Sequence, residues 1–411
     1  MKEIIVYADW HTLPKTQEMG VLRSSIIKGQ EIFSFTYNES WLKSDHVQVI
    51  DPDLKLFTGS QYLSHDKPNF GLFLDSSPDR WGKMLMDRRE AINARTEGRK
   101  QKRLLESDYL LGVNDYTRMG ALRFKLNEES NYIASTKGFK IPPIANIREL
   151  EQASLKLEEE DNDANKWLSM LIAPGSSLGG ARPKANIVDL EGNLWIAKFP
   201  SKNDKINSGA WEFIVNQMAI EMGLNTATGK AEKFSGHQYT YLTKRFDRIK
   251  NDRIHFASAM TLLGYKDGHD HKDGGSYLEL VELIENYGSN PNEDIKELWK
   301  RIVFSVAISN TDDHLRNHGF ILTQKGWKLS PAYDINPNPD GMGLSLNINE
   351  DDNSLDYDLC MSVIGYFRLK ENEALDFIKK TKKVISQWKK RGKKMNISNP
   401  ELALIENAFN V

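Results

Sequence analysis

The feature that most restricts the fold is a change of hydrophobic patterning near Phe256. Before it, KANIVDL (184–190), LWIAKF (194–199) and YTYLTKRF (239–246) are short runs rich in β-branched and aromatic residues, as strands are. Between the second and third runs lies one amphipathic helix pattern, GAWEFIVNQMAIEMGL (209–224), closed by Gly223. After Phe256 helical periodicity takes over, in SYLELVELIENY, EDIKELWKRIVFSVAI and NEALDFIKKTKKVISQWKKR. A strand-rich segment carrying one helix, followed by a helical segment, predicts an α+β chain of two lobes with a cleft between them.

The first third adds a further mixed segment. EIIVYAD and EIFSFTY read as strands, the latter setting Phe33, Phe35 and Tyr37 against Ile32, Ser34 and Thr36. SPDRWGKMLMDRREAI reads as a helix with Ser77 as its cap and Pro78 in its first turn. QKRLLESDYLLGV reads as a second helix, GALRF as another strand, and IRELEQASLKLEEED as the next helix. Periodicity is lost between residues 126 and 145, so the expected division is 1–125, 126–255 and 256–411. The near-neutral balance, 55 Lys+Arg against 57 Asp+Glu, gives no global case for wrapping nucleic acid. The single Cys360 cannot form an intrachain disulfide, and neither a signal peptide nor a membrane-length apolar run is visible. The expected setting is therefore the cytoplasm, with no membrane.

The chemistry concentrates in ISNTDDHLRNHGF (308–320). Phosphoryl transfer on the kinase plan needs an aspartate facing the acceptor hydroxyl and an asparagine five residues on, facing a metal. Asp312 and Asn317 have that spacing; Asp313 is one short and is expected to be an exposed neighbour. GFILTQKGWKLSPAYD then reads as a hairpin that returns a second carboxylate, Asp334. Upstream, PGSSLGGARPK (174–184) is Gly-rich and ends in Lys184, though it is neither a P-loop nor G-x-G-x-x-G. Lys198 sits in an otherwise apolar strand, where it either meets phosphates or reaches solvent from the strand end, and Glu212 early in the next helix either pairs with it or simply complements the helix dipole.

A second chemistry competes for the same stretch. His314 and His318, four apart, could ligate zinc or manganese together with Asp312 and Asp313, which would leave Asn317 and the hairpin without a role. DGHDHKDGG (267–275) resembles a metal cluster too, but polar loops of this composition are expected to be mobile and solvated. The basic stripe KKTKKVISQWKKRGKK reads as a docked helix with a solvated lysine face.

Taken together, SSPDRWGKMLMDRRE, SSLGGARPK, WIAKFP, KRFDR, NTDDHLRNHGF and LSPAYDI make the chain resemble the HipA-type serine/threonine kinases, toxins of bacterial HipA–HipB pairs. The resemblance implies a protein-kinase-like fold, ATP and Mg2+ as cofactors, and Asp312 as the catalytic acid or base with His314 in support. It implies Asn317 and Asp334 as metal ligands, and Ser177, Gly179, Gly180, Lys184 and Lys198 around the phosphates. The adenine would lie along a hinge from Lys244 to Phe246. Ser177 would be autophosphorylated, adding a charge of about −1.5 to −2 that ejects the loop; Ser176 is its neighbour. The implied partners are a HipB-like helix-turn-helix antitoxin, operator DNA reached mainly through it, and a protein substrate such as an aminoacyl-tRNA synthetase. The alternative is a catalytically silent kinase fold that serves as co-repressor with the DNA-binding antitoxin.

Overall fold

The computed structural model describes residues 1–63, 67–128, 131–133, 141–159, 168, 170–171, 180 and 182–411. They form two compact units. The first comprises Met1–Lys202 with Lys244–Ala257 and Gly264–Lys266, and the second Asn203–Thr243, Ser258–Leu263 and Asp267–Val411.

The first unit begins with strands β1 (Lys2–Ala8), β2 (Gln17–Ile27) and β3 (Gln30–Tyr37), each antiparallel to the next. Helix α1 (Glu39–Leu42), strand β4 (Ser60–Tyr62), helices α2 (Gly71–Asp75), α3 (Arg80–Thr96) and α4 (Glu106–Gly112), and strand β5 (Leu122–Lys125) follow. The sheet order is β4-β3-β2-β1-β5. Its inner face is set by strand alternation: Ile4, Val6, Leu22, Phe33, Phe35 and Phe124 are fully or almost fully buried. Phe73 of α2 closes that face, its ring 5.7 Å from Phe35 and 6.1 Å from Phe124. Gly20 is required in β2, because a Cβ there would lie 2.3 Å from the Thr36 carbonyl oxygen.

Helix α3 starts two residues later than Ser77 and Pro78 suggest. Asp79 is the cap, its carboxylate accepting the Gly82 amide at 2.7 Å. Helix α5 (Ile147–Glu158) precedes the hairpin of β6 (Lys184–Val188) and β7 (Leu194–Lys198). Arg88 of α3 donates to the Leu157 carbonyl at 2.6 Å, closing an open end of α5.

The second unit opens with α6 (Ser208–Met222), ended by Gly223 in the left-handed conformation, and the hairpin of β8 (Gly229–Glu232) and β9 (Thr240–Lys244). Helices α7 (Ala259–Leu262), α8 (Tyr277–Tyr287) and α9 (Pro291–Ala307) lead to a hairpin of β10 (Gly319–Thr323) and β11 (Gly326–Leu329). Helices α10 (Tyr357–Ser362), α11 (Glu371–Ile385), α12 (Trp388–Lys394) and α13 (Asn399–Ile405) complete it. The basic stripe read as one helix is two, α11 and α12, parted at Ser386 and Gln387. The break lets Trp388 enter the core, stacked on Phe409 at 4.7 Å and beside Trp211 at 6.2 Å. That core gathers Trp211, Val215 and Met218 of α6, Phe304 of α9 and Ile385 of α11. Burial of each such side chain is worth about 1.5–3 kcal/mol.

Candidate active site

The stretch from Ile308 to Phe320 leaves the C-terminus of α9 through Ser309, whose φ of +48° is rare for a residue with a side chain. The turn this creates is held by its own neighbours: the Asn310 amide donates to the Ser305 carbonyl at 2.9 Å and the Asn338 amide to the Ser309 carbonyl at 3.2 Å. Asn338 Nδ2 donates to Thr311 Oγ1 at 2.6 Å, and Ser345 Oγ to the Thr311 carbonyl at 2.8 Å. The backbone carrying the two aspartates is therefore fixed before either side chain is considered.

Those two aspartates then part company. Asp312 is 84% exposed, with His314 Nε2 4.0 Å from its Oδ1. Asp313 points inward and is buried, against the expectation of an exposed neighbour. Its Oδ2 accepts from the Tyr277 hydroxyl at 2.6 Å and from Ser305 Oγ at 3.2 Å, and its Oδ1 lies 3.0 Å from His318 Nε2. Burial alone would raise this carboxyl; the His318 charge and the hydrogen bonds from His318, Tyr277 and Ser305 outweigh it and hold the group below its ordinary range. Asp313 turns inward because, one residue on from an outward position in this turn, the side chain faces α8 and α9, which supply the Tyr277 and Ser305 hydroxyls. His318 is consumed by the same cluster.

Asn317 is also buried. Its Nδ2 donates to the Asp312 carbonyl at 2.8 Å and its amide to the His314 carbonyl at 2.8 Å. With Nδ2 spent on the loop's own backbone, Oδ1 is the atom it can offer a cation. The β10–β11 hairpin comes back against this loop: the Ser330 amide donates to the Gly319 carbonyl, and the Tyr333 hydroxyl to the Arg316 carbonyl at 2.8 Å. Asp334 follows with φ +56°, its Oδ1 accepting from Asn336 Nδ2 at 3.2 Å.

A third acidic residue reaches the same unit's interior. Glu212 is buried on α6, and both it and Asp334 act on the buried Tyr241 hydroxyl. Burial first, then the Glu212 charge, push that hydroxyl well above its ordinary value, with Asp334 adding to the effect and a Thr243 hydrogen bond opposing it. An oxygen-only pair, Asn317 and Asp334, suits a hard cation such as Mg2+, which takes one or two protein carboxylate or amide oxygens and completes its shell with phosphate and water. Among the described residues, no group of three or more His, Cys, Asp or Glu is arranged to hold a metal. DGHDHKDGG is built into the unit: the His271 amide donates to the Ser345 carbonyl, and Asn347 Nδ2 to the His271 carbonyl.

In the first unit, Ser176, Ser177 and Gly179 lie outside the described residues. Gly180 has φ +89°. Lys184 has a different occupation from the phosphate contact expected of it: its Nζ lies 2.9 Å from Asp79 Oδ2, both side chains buried. Lys198 ends β7 directly opposite Lys184, in the first unit, whereas Glu212 belongs to the second. Lys244 and Phe246 flank Arg245, whose amide donates to the Leu194 carbonyl at 2.9 Å. Arg245 itself is buried, bonded to Asp247 at 2.8 and 2.6 Å, to Asn186 Oδ1 at 2.8 Å and to the Thr117 carbonyl at 2.6 Å. The sequence reading missed the inward turn of Asp313 and its partner Tyr277 in the second unit, and Asp79 and Arg245 as buried fixtures of the first.

An α+β fold with a polar turn after a long helix, a returning hairpin carboxylate and a lysine-bearing strand defines the protein-kinase-like class. A family model, the HipA-like C-terminal domain, matches residues 176–388, and the chain belongs to that family. A Haemophilus influenzae protein with a kinase designation is 24% identical over 187 residues, 40% of this chain and 54% of the relative. The serine/threonine-protein kinase toxin HipA of Shewanella oneidensis is 25% identical over 229 residues, 47% of this chain and 52% of its own. The alignments thus span about half the length of these relatives. Among solved structures, HipA in the Shewanella oneidensis HipA–HipB–operator DNA complex superposes with a TM-score of 0.65 at 16% identity, over 95% of this chain and 93% of that one. Among the described residues, no helix is long and apolar enough to cross a membrane.

Proposed function

We propose that the chain is an ATP- and Mg2+-dependent protein serine/threonine kinase of the HipA toxin type. The observation that carries this reading is the split at 312/313: a carboxylate turned to solvent on a backbone that its buried neighbour and Asn317 hold rigid. Asp312 accepts the proton of the acceptor hydroxyl as its oxygen attacks the γ-phosphorus and ADP departs. Asn317 Oδ1 and the Asp334 carboxylate hold the metal, which when bound neutralises charge on the phosphates. Lys198 contacts the phosphates, and backbone groups between Lys244 and Phe246 hold the adenine. Ser177 is the autophosphorylation site.

The solved HipA–HipB–operator DNA complex supports a small HipB-like antitoxin as partner, with DNA reached through it. The substrate class, a protein such as an aminoacyl-tRNA synthetase, rests on family resemblance alone. The test is incubation of wild type and Asp312→Gln with labelled ATP and Mg2+, followed by mass mapping of the label. Label on Ser177 in wild type and none in Asp312→Gln is the expected result. If wild type neither binds nucleotide nor takes up label, the kinase reading fails and the silent co-repressor takes its place.

A further inference from the structure

We propose that Asp79 is a positioning residue for nucleotide binding, acting through Lys184 on the exit of the Gly-rich segment. The inference rests on the kinase reading and adds to it a working part drawn from the N-terminal third of the chain. Lys184 is the first residue of β6 and the last of PGSSLGGARPK. Helix α3 grips it at two points: Asp79 Oδ2 lies 2.9 Å from its Nζ, and Trp81 Nε1 donates to its carbonyl at 3.0 Å. Asp79 is itself immobile, since its other oxygen caps α3 through the Gly82 amide.

The neighbouring residues show what this grip positions. A Cβ on Gly180 would lie 3.8 Å from Lys184 Nζ, so the buried ion pair lies beside Gly180. The segment's exit is tied to the end of β7 as well: the Phe199 amide donates to the Pro183 carbonyl at 2.9 Å, and Arg182 to the Phe199 carbonyl at 3.3 Å. Lys184 and Lys198 are Cα partners in the antiparallel pair, and such partners project on one face, where like charges repel. Asp79 neutralises Lys184 and so removes that repulsion. On the kinase reading the two lysines have separate tasks: Lys184 fixes the loop exit and Lys198 meets the phosphates.

The experiment is a double-mutant cycle on the full chain, reading KM for ATP and kcat separately. Asp79→Asn and Lys184→Met are each expected to raise KM on the order of tenfold to a hundredfold with kcat little changed, as misplacement of a binding loop does. The double variant should be no worse than either, because the residues act as one unit. Trp81→Phe, which keeps the aromatic packing and removes only the indole donor, should raise KM in the same direction and guards against an Asp79 variant that fails to fold. If Lys184→Met raises KM while Asp79→Asn and Trp81→Phe leave it unchanged, Lys184 touches phosphate directly and the proposal is overturned. A wild type that binds no ATP removes the kinase reading and this inference with it, whereas normal turnover with an unmoved KM in Asp79→Asn and Trp81→Phe removes this inference alone.

Discussion

Two segments, one in each unit, solve the same problem with different chemistry. In the second unit, the turn at 309–318 anchors Asp313 with two hydroxyls and an imidazole while its neighbour Asp312 faces solvent. In the first, the stretch 244–248 anchors Asp247 between two guanidiniums, Arg245 and Arg248, while Lys244 and Phe246 alternate with those anchors at partial exposure. Each stretch interleaves residues that weld the backbone with residues that are presented. A buried charge does this well because it accepts only one arrangement of partners, whereas apolar packing tolerates several. The contrast lies in how each anchor fails: one depends on neutral donors and a histidine, the other on permanent cations.

The sharpest way to break the comparison is to exchange the two aspartates' fates. Asp312→Asn should lower phosphoryl transfer about a thousandfold, the scale of a lost general base, with an unchanged melting temperature. Activity and thermal denaturation on one preparation check both halves. Asp313→Ala should do the reverse in kind, costing about 3 kcal/mol of stability because it leaves Tyr277 and His318 buried without their acceptor. A urea titration measures this, and an Asp313→Ala protein as stable as wild type would show that the turn is held from elsewhere.

Much of this architecture was legible beforehand, and the exceptions have physical causes. Runs such as LWIAKF and GAWEFIVNQMAIEMGL declare themselves because burial imposes a period on them. Strand β2 did not: Gly20, Arg23, Ser24 and Ser25 dilute its alternation, and Gly20 is there for a close backbone approach that no pattern reveals. The spacing from Asp312 to Asn317 singled out the exposed carboxylate, since spacing along a chain is what sequence records. It could not show that Asp313 turns inward, because its partners Tyr277 and Ser305 are 36 and 8 residues away. Nor could it show that Lys184 meets Asp79, which is 105 residues distant. Long-range polar contacts of this kind are invisible to local pattern, and each unit holds one.

The smaller predictions test whether the first unit's anchor behaves as a paired acid. Burial would raise the Asp247 carboxyl, but Arg245 and Arg248 overcome it and hold it at about 2, against an ordinary 3.8. A depressed acid stabilises the fold fully above its unfolded value and loses that contribution as pH falls toward the folded one. Wild type should therefore lose about 2 kcal/mol more than Asp247→Asn between roughly pH 5 and pH 2, by denaturant titration at each pH. Equal losses would mean that the guanidiniums do not sense the proton. Exposed pairs give the lower limit of the scale. Glu39, the first residue of α1, and Lys43, just past its end, lie 3.2 Å apart at 71% and 77% exposure. Water and salt screen such a pair, and ordering two long side chains offsets most of what attraction remains. Lys43→Met should leave the urea midpoint where it is at every salt concentration. A measurable shift there would put surface charge on the same footing as the buried anchors, and the distinction between welding and presented residues would then have to rest on hydrogen-bond geometry rather than on burial.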